Sequence, residues 1–144
     1  MEVWRSTDDV PADLRGSVVT IGVFDGVHRG HRAVIAETIR QAHELGVPSV
    51  VLTFDPHPGS VHDPDSEIPL VISLEDRLHL LEALGVDAAF VQHYTLDYAQ
   101  ASAEEFVRDQ LVGQLRAAAV VVGEDVRFGR ANSGDGRLLT QLGE

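Results

Sequence analysis

The sequence predicts an α/β fold with a Rossmann-like parallel sheet and helices on both faces. Three observations carry that prediction. Short β-branched runs alternate along the chain with stretches of helical periodicity, and such alternation implies right-handed βαβ crossovers. The runs are continuously apolar, as in Ser49-Val50-Val51-Leu52-Thr53-Phe54, which suits strands buried on both faces. Three glycine- or proline-punctuated segments, 22–31, 54–58 and 123–129, each follow one of these runs. In a parallel sheet, ligands sit beyond the carboxyl ends of the strands.

Each element has its own local reason. The first strand is expected over 17–23, where Val18, Val19 and Ile21 cluster. The first helix is expected over 30–45, with Val34, Ile35, Ile39 and Ala42 at helical spacing and Gly46 as its stop. The second strand occupies 49–54. Residues 55–69 hold four of the six prolines and read as a long loop. Ser73 reads as an N-cap with Asp76 three residues on, ahead of Leu78, Leu81 and Leu84, and Gly85 closes that helix. The third strand covers 88–92. Ser102 caps a further helix, with Glu104 and Glu105 where the macrodipole favours acid and Phe106, Val107 and Leu111 on its inner face. The fourth strand covers 118–122 and ends at Gly123. Residues 129–136 read as a polar loop, and Leu138-Leu139 begin a last helical turn.

Composition narrows the function. A chain of 144 residues, 44% hydrophobic, fits one domain with a real core. The absence of cysteine excludes disulfides, thiolate nucleophiles and cysteine metal sites. Every apolar run is far shorter than the roughly 20 residues of a membrane-spanning helix. The N-terminus, Met1-Glu2-Val3-Trp4-Arg5, lacks the basic-then-apolar pattern of a secretory signal. A cytoplasmic protein without a membrane partner is the expectation. The net charge of −12 argues against a nucleic-acid partner, which would need clustered Lys and Arg. It also requires that any polyphosphate ligand find positive charge locally, from histidines, a few arginines, helix N-termini and Mg²⁺.

The most informative segment is Gly22-Val23-Phe24-Asp25-Gly26-Val27-His28-Arg29-Gly30-His31. A strand that ends in a glycine-rich turn and opens a helix presents free backbone N–H groups, and the helix dipole favours an anion there. His28 and His31 add donors for phosphate oxygens. Gly22, Gly26 and Gly30 let the backbone approach a nucleotide closely. Asp25 can orient a histidine or bind substrate. A zinc site would need at least three protein ligands, and no third is evident near the two histidines. In Thr53-Phe54-Asp55-Pro56-His57-Pro58, two prolines stiffen the end of a strand beside an aromatic able to flank a flat heterocycle. Taken on its own, the run reads first as a structural loop corner. In Gly123-Glu124-Asp125-Val126-Arg127-Phe128-Gly129, Asp125 can hold Mg²⁺ or a ribose hydroxyl and Arg127 can pair with phosphate. A plain surface Asp–Arg pair is the alternative there.

Taken together, these three motifs resemble the adenylyltransferase module of bacterial FAD synthetases, the bifunctional riboflavin kinase/FMN adenylyltransferases. The resemblance extends through Leu80-Leu-Glu-Ala-Leu-Gly-Val-Asp87 and Glu104-Glu-Phe-Val107. The first motif is shared with the wider nucleotidyltransferase superfamily, whose α/β sandwich is the implied fold. The second and third motifs narrow it to the flavin branch. The resemblance implies transfer of the adenylyl group of ATP to FMN, with Mg²⁺ as cofactor. It implies His28, His31 and Asp125 as the catalytic residues, with Asp125 near Mg²⁺. Gly22, Val23, Phe24, Asp25, Gly26, Gly30, Gly123 and Arg127 would hold the nucleotide. Phe54, Asp55, Pro56, Pro58 and Phe128 would line the flavin side.

Two departures accompany the resemblance. Val126 stands where the family usually carries phenylalanine. The expected unit is a single adenylyltransferase-like domain over 1–144, ending before the family's Ser/Thr-rich, Arg-containing ATP motif and without the riboflavin kinase barrel. Two other functions stay open on the residues alone: a cytidylyltransferase-like enzyme with another phosphorylated acceptor, and a non-catalytic flavin- or nucleotide-binding module.

Overall fold

β-Branched residues set the frame of the sheet, because two heavy atoms on Cβ stiffen χ1 and pack well on a pleated surface. A computed structural model of the chain describes residues 1–22, 29–55, 73–122, 127–128 and 134–135, with backbone only for 29–31, 127–128 and 134–135. Its strands are β1 (Glu2–Trp4), β2 (Ser17–Ile21), β3 (Ser49–Asp55), β4 (Ala88–His93) and β5 (Ala117–Val121). They form one parallel sheet in the order β1-β4-β3-β2-β5. The helices are α1 (Arg29–Leu45), α2 (Leu74–Leu84) and α3, a turn over Ala103–Glu105 that widens into a π-helix over Phe106–Gln114. A short antiparallel pair, β6 (Arg127–Phe128) with β7 (Gly134–Asp135), follows.

Alternation along each strand builds two cores. Val19 and Ile21 of β2, Val50 and Leu52 of β3, and Ala88 and Phe90 of β4 pack with Phe106, Leu111 and Leu115 on the α3 face. Val51 packs with Ile35 of α1 and Leu81 and Val86 from α2 and its exit on the other face. The predicted sheet with helices on both faces is therefore the observed one.

The helix ends follow their caps. The Ser73 hydroxyl accepts from the Asp76 N–H at 3.1 Å, and that of Ser102 accepts from the Glu105 N–H at 3.1 Å. Gly46 and Gly85 end α1 and α2 at φ +69° and +99°, a left-handed conformation costly for any residue with a Cβ.

Four features differ from the sequence reading. β2 ends at Ile21 rather than 23, although the Gly22 N–H still donates to Leu52 O at 3.0 Å. β1 was not expected, because three residues are too few to display a period. Trp4, only 3% exposed, anchors it in the α3-side core. α3 leaves α geometry, with the Leu115 N–H donating five residues back to Gln110 O at 3.0 Å. Within the predicted polar loop, Gly134 and Asp135 instead pair with Phe128 and Arg127. The last helical turn expected at Leu138-Leu139 lies outside the described residues.

Candidate nucleotide site

From β2 the chain winds outward through β3 and β4, then crosses back to the far side of β2 as β5. The connections diverge from β2 in opposite directions. The crevice at its carboxyl end is therefore the switch point of the sheet, where open α/β folds bind ligands. Gly22 lies there, half-buried and tied to β3 through Leu52.

α1 opens onto the same edge. Arg29, Gly30 and His31 form its first turn, and no acidic residue occurs in that turn. α2 differs, carrying Glu75 and Asp76 at its start. The positive end of α1 is thus not offset by acid in its own first turn, which favours an external anion. Thr20, fully buried near the end of β2, has a hydroxyl with no hydrogen-bond partner among the described residues. Such an orphan is uncommon in a folded core.

At the carboxyl end of β3, Phe54 and Asp55 project to opposite faces. The Phe54 ring packs on the α3 side with Tyr94 at 5.7 Å and Tyr98 at 6.2 Å between centroids, and those two tyrosines meet at 5.6 Å. The Tyr98 hydroxyl donates to Gln110 Oε1. Gln110 in turn donates to Gln92 Oε1 at 2.8 Å and Gln114 Oε1 at 3.1 Å, and Gln114 donates to Thr7 Oγ1 at 2.8 Å. Burial, with the neighbouring Tyr94 second, holds the Tyr98 phenol well above the usual tyrosine range. On the opposite face, the nearly buried Arg77 of α2 donates from Nη1 to Thr53 Oγ1 at 3.1 Å and to Phe54 O at 3.4 Å.

Of the residues singled out from sequence, Gly22, Gly30, the backbone of His31, Phe54 and Asp55 fall at this one edge of the sheet. Arg127 and Phe128, expected in a loop, form β6. Val23, Phe24, Asp25, Gly26, His28, Pro56, Pro58, Gly123 and Asp125 lie outside the described residues. Sequence reasoning missed Arg77, Tyr94, Tyr98 and Gln110. A charge four residues before Leu81, on the inward face of a helix, was the available signal for Arg77. No three His, Asp or Glu side chains converge as metal ligands among the described residues. Mg²⁺ needs only one or two carboxylates beside substrate phosphates, so a dedicated cage is not required of this site. Among the described residues, no helix is long and apolar enough to cross a membrane.

Residues 10–144 match the FAD synthetase family. The chain belongs to that family. The bifunctional riboflavin kinase/FMN adenylyltransferase of Escherichia coli is 36% identical over 132 residues, covering 92% of this chain and 42% of that protein. A Geobacillus thermodenitrificans protein, provisionally named for the same two activities, is 39% identical over 126 residues, 88% of this chain and 68% of that one. The chain thus spans less than half of the Escherichia coli relative. The crystal structure of a macrolide-efflux protein from Streptococcus pneumoniae superposes with a TM-score of 0.83 at 24% identity, over 96% of this chain and 53% of that one. That likeness speaks to the fold alone. FAD synthetase membership agrees with the parallel sheet.

Proposed function

We propose that residues 1–144 act as an adenylyltransferase domain that moves the adenylyl group of ATP to FMN, giving FAD and pyrophosphate. The observation that carries this reading is the switch-point crevice, where the acid-free first turn of α1 with its Gly30-His31 meets the carboxyl end of β2. Family membership supplies the substrates. Of the two activities named for the relatives, adenylyl transfer is the one that an open parallel sheet with an anion crevice suits.

The terminal phosphate oxygen of FMN attacks the α-phosphorus of ATP. A P–O bond forms there as the bond to the bridging α–β oxygen breaks, and its electron pair leaves with pyrophosphate. The nucleophile is already ionised near neutral pH, so no general base is needed. His28 and His31 donate to the phosphate oxygens as charge builds, with Arg127 as a further cation. Gly22, Gly26 and Gly30 admit the nucleotide backbone-close, with Val23, Phe24, Asp25 and Gly123 beside it. Phe54, Asp55, Pro56, Pro58 and Phe128 hold the flavin. Asp125 would hold Mg²⁺, which when bound would supply positive charge against the phosphates and offset the chain's acidity. A cytoplasmic setting belongs to the same reading.

The test is incubation of the chain with FMN, ATP and Mg²⁺, followed by chromatography. FAD with an equal amount of pyrophosphate is the expected result. Flavin binding without turnover would replace this reading with a non-catalytic module. Turnover of CTP with a phosphorylated alcohol, and not of FMN, would replace it with another nucleotidyltransferase.

A further inference from the structure

Arg77 occupies an inward position of α2, one turn before the fully buried Leu81, and is only 4% exposed. Burying a guanidinium costs several kcal/mol unless hydrogen bonds compensate it, and an apolar residue of similar volume is often as stable. A charge at this position therefore asks for a role beyond packing. Its Nη1 donates to Thr53 Oγ1 at 3.1 Å and to the Phe54 carbonyl at 3.4 Å. Both acceptors lie in the last turn of the β3 ladder. α2 itself is held in register by the Ser73 cap, and the Arg77 N–H donates to Ser73 O at 2.9 Å. The guanidinium thus joins a fixed helix start to the carboxyl end of a central strand.

Phe54 is gripped from both faces of the sheet. Arg77 holds its carbonyl from the α2 side, while Tyr94 and Tyr98 hold its ring on the α3 side. We propose that Arg77 is a positioning residue for the flat, aromatic part of the acceptor: through Thr53 and the Phe54 carbonyl it sets the angle of the Phe54 ring at the carboxyl end of β3. This rests on FMN being the acceptor. The nucleotide crevice opens at β2, whose own carboxyl end is tied to β3 through Gly22 and Leu52, two residues short of Phe54. The bonds of Arg77 go to Thr53 and Phe54, beyond that link on the acceptor side, so its loss falls on the acceptor first. Charge-assisted hydrogen bonds with a planar fork give directional control that a lysine reproduces only in part.

Three variants of the full chain test this: Arg77→Met, Arg77→Lys and Thr53→Val. FMN binding is read by flavin fluorescence, turnover as the KM for FMN against the KM for ATP, and folding by urea titration. Arg77→Met and Thr53→Val should each weaken FMN binding about tenfold, because a Phe54 ring no longer held in place must be ordered when the acceptor binds. The KM for ATP should stay within about twofold, and Arg77→Lys should recover part of the loss. Near-ultraviolet circular dichroism should also change, because the Tyr94–Tyr98 pair shares the Phe54 contact. Unchanged FMN affinity in the folded variants, or equal weakening of FMN and ATP, would overturn the proposal. Should Arg77→Met not fold, Thr53→Val, which alters no charge, decides alone. Failure of the unaltered chain to bind FMN would remove the acceptor reading and this inference with it, an outcome distinct from FMN binding that is indifferent to Arg77.

Discussion

His31 concentrates the chemistry at the scale of single residues. It stands in the first turn of α1 beside Gly30, and on the proposed reading its imidazole adds to the helix dipole at the ATP phosphates. Because its hydrogen bond strengthens only as charge develops on the phosphates, His31→Ala should lower kcat by about 10²–10³ while leaving FMN affinity unchanged. Steady-state kinetics with a parallel FMN titration checks this. Tyr98 supports a second prediction. Its folded-state pKa is raised from 10.0 by burial first and by Tyr94 second, whereas the unfolded chain ionises it normally. The folded state then binds more protons than the unfolded one above that value, so its contribution to stability is lost as pH rises beyond about 10. Urea midpoints should fall between about pH 9 and 11, and fall less in Tyr98→Phe. The caps at Ser73 and Ser102 were legible in the sequence because a serine reaches an N–H of its own first turn, a purely local event. The Tyr98–Gln110 and Arg77–Thr53 bonds were not, since their partners meet only through the tertiary fold.

Elements were readable in proportion to their length and period. α1 over Arg29–Leu45 and the strands β2 to β5 carry continuous apolar runs or helical spacing, and their expected bounds differ from the observed ones by one or two residues. β1 and the hairpin of β6 with β7 are two or three residues per strand and gain their pairing from neighbours. The π geometry of α3 was equally hidden, because the apolar residues Phe106 and Leu111, five apart, fit a wide helix as well as an ordinary one seen loosely. Leu111 is fully buried against the sheet. Leu111→Ala should therefore cost about 2–5 kcal/mol, read as a lowered urea midpoint at constant slope. The link between Ser49 and Asp87 joins β3 to the entry of β4 at the opposite end of the sheet. There Asp87 Oδ2 accepts from the Ser49 N–H at 2.9 Å and the Asp87 N–H donates to Ser49 Oγ at 3.0 Å. It fixes strand register far from the crevice, so its loss should be felt in stability rather than in turnover.

Across the whole molecule, the reversal of strand order between β3 and β5 around β2 puts the ends of three strands at one crevice. The parallel course of those strands was legible because apolar runs alternate with helical stretches, while 23–28, 56–58 and 123–126, expected to meet beyond the strand ends, lie outside the described residues. Which strands are neighbours was not foretold, since pairing partners leave no mark on a single strand's pattern. A net charge of −12 sharpens the requirement at that crevice. A triphosphate approaching an acidic protein must find its counter-charge in a few places, and among the described residues the start of α1 offers one at the switch point. The most direct measurement is an amide-shift titration of the isotope-labelled chain with Mg²⁺-ATP by heteronuclear NMR. The expected result is that the largest shifts fall on Gly22, Gly30, His31 and the 123–128 segment. Largest shifts along α3 or at the Ser49–Asp87 end of the sheet, or no shifts at saturating ATP, would contradict the assignment of the triphosphate to the junction of β2 with α1.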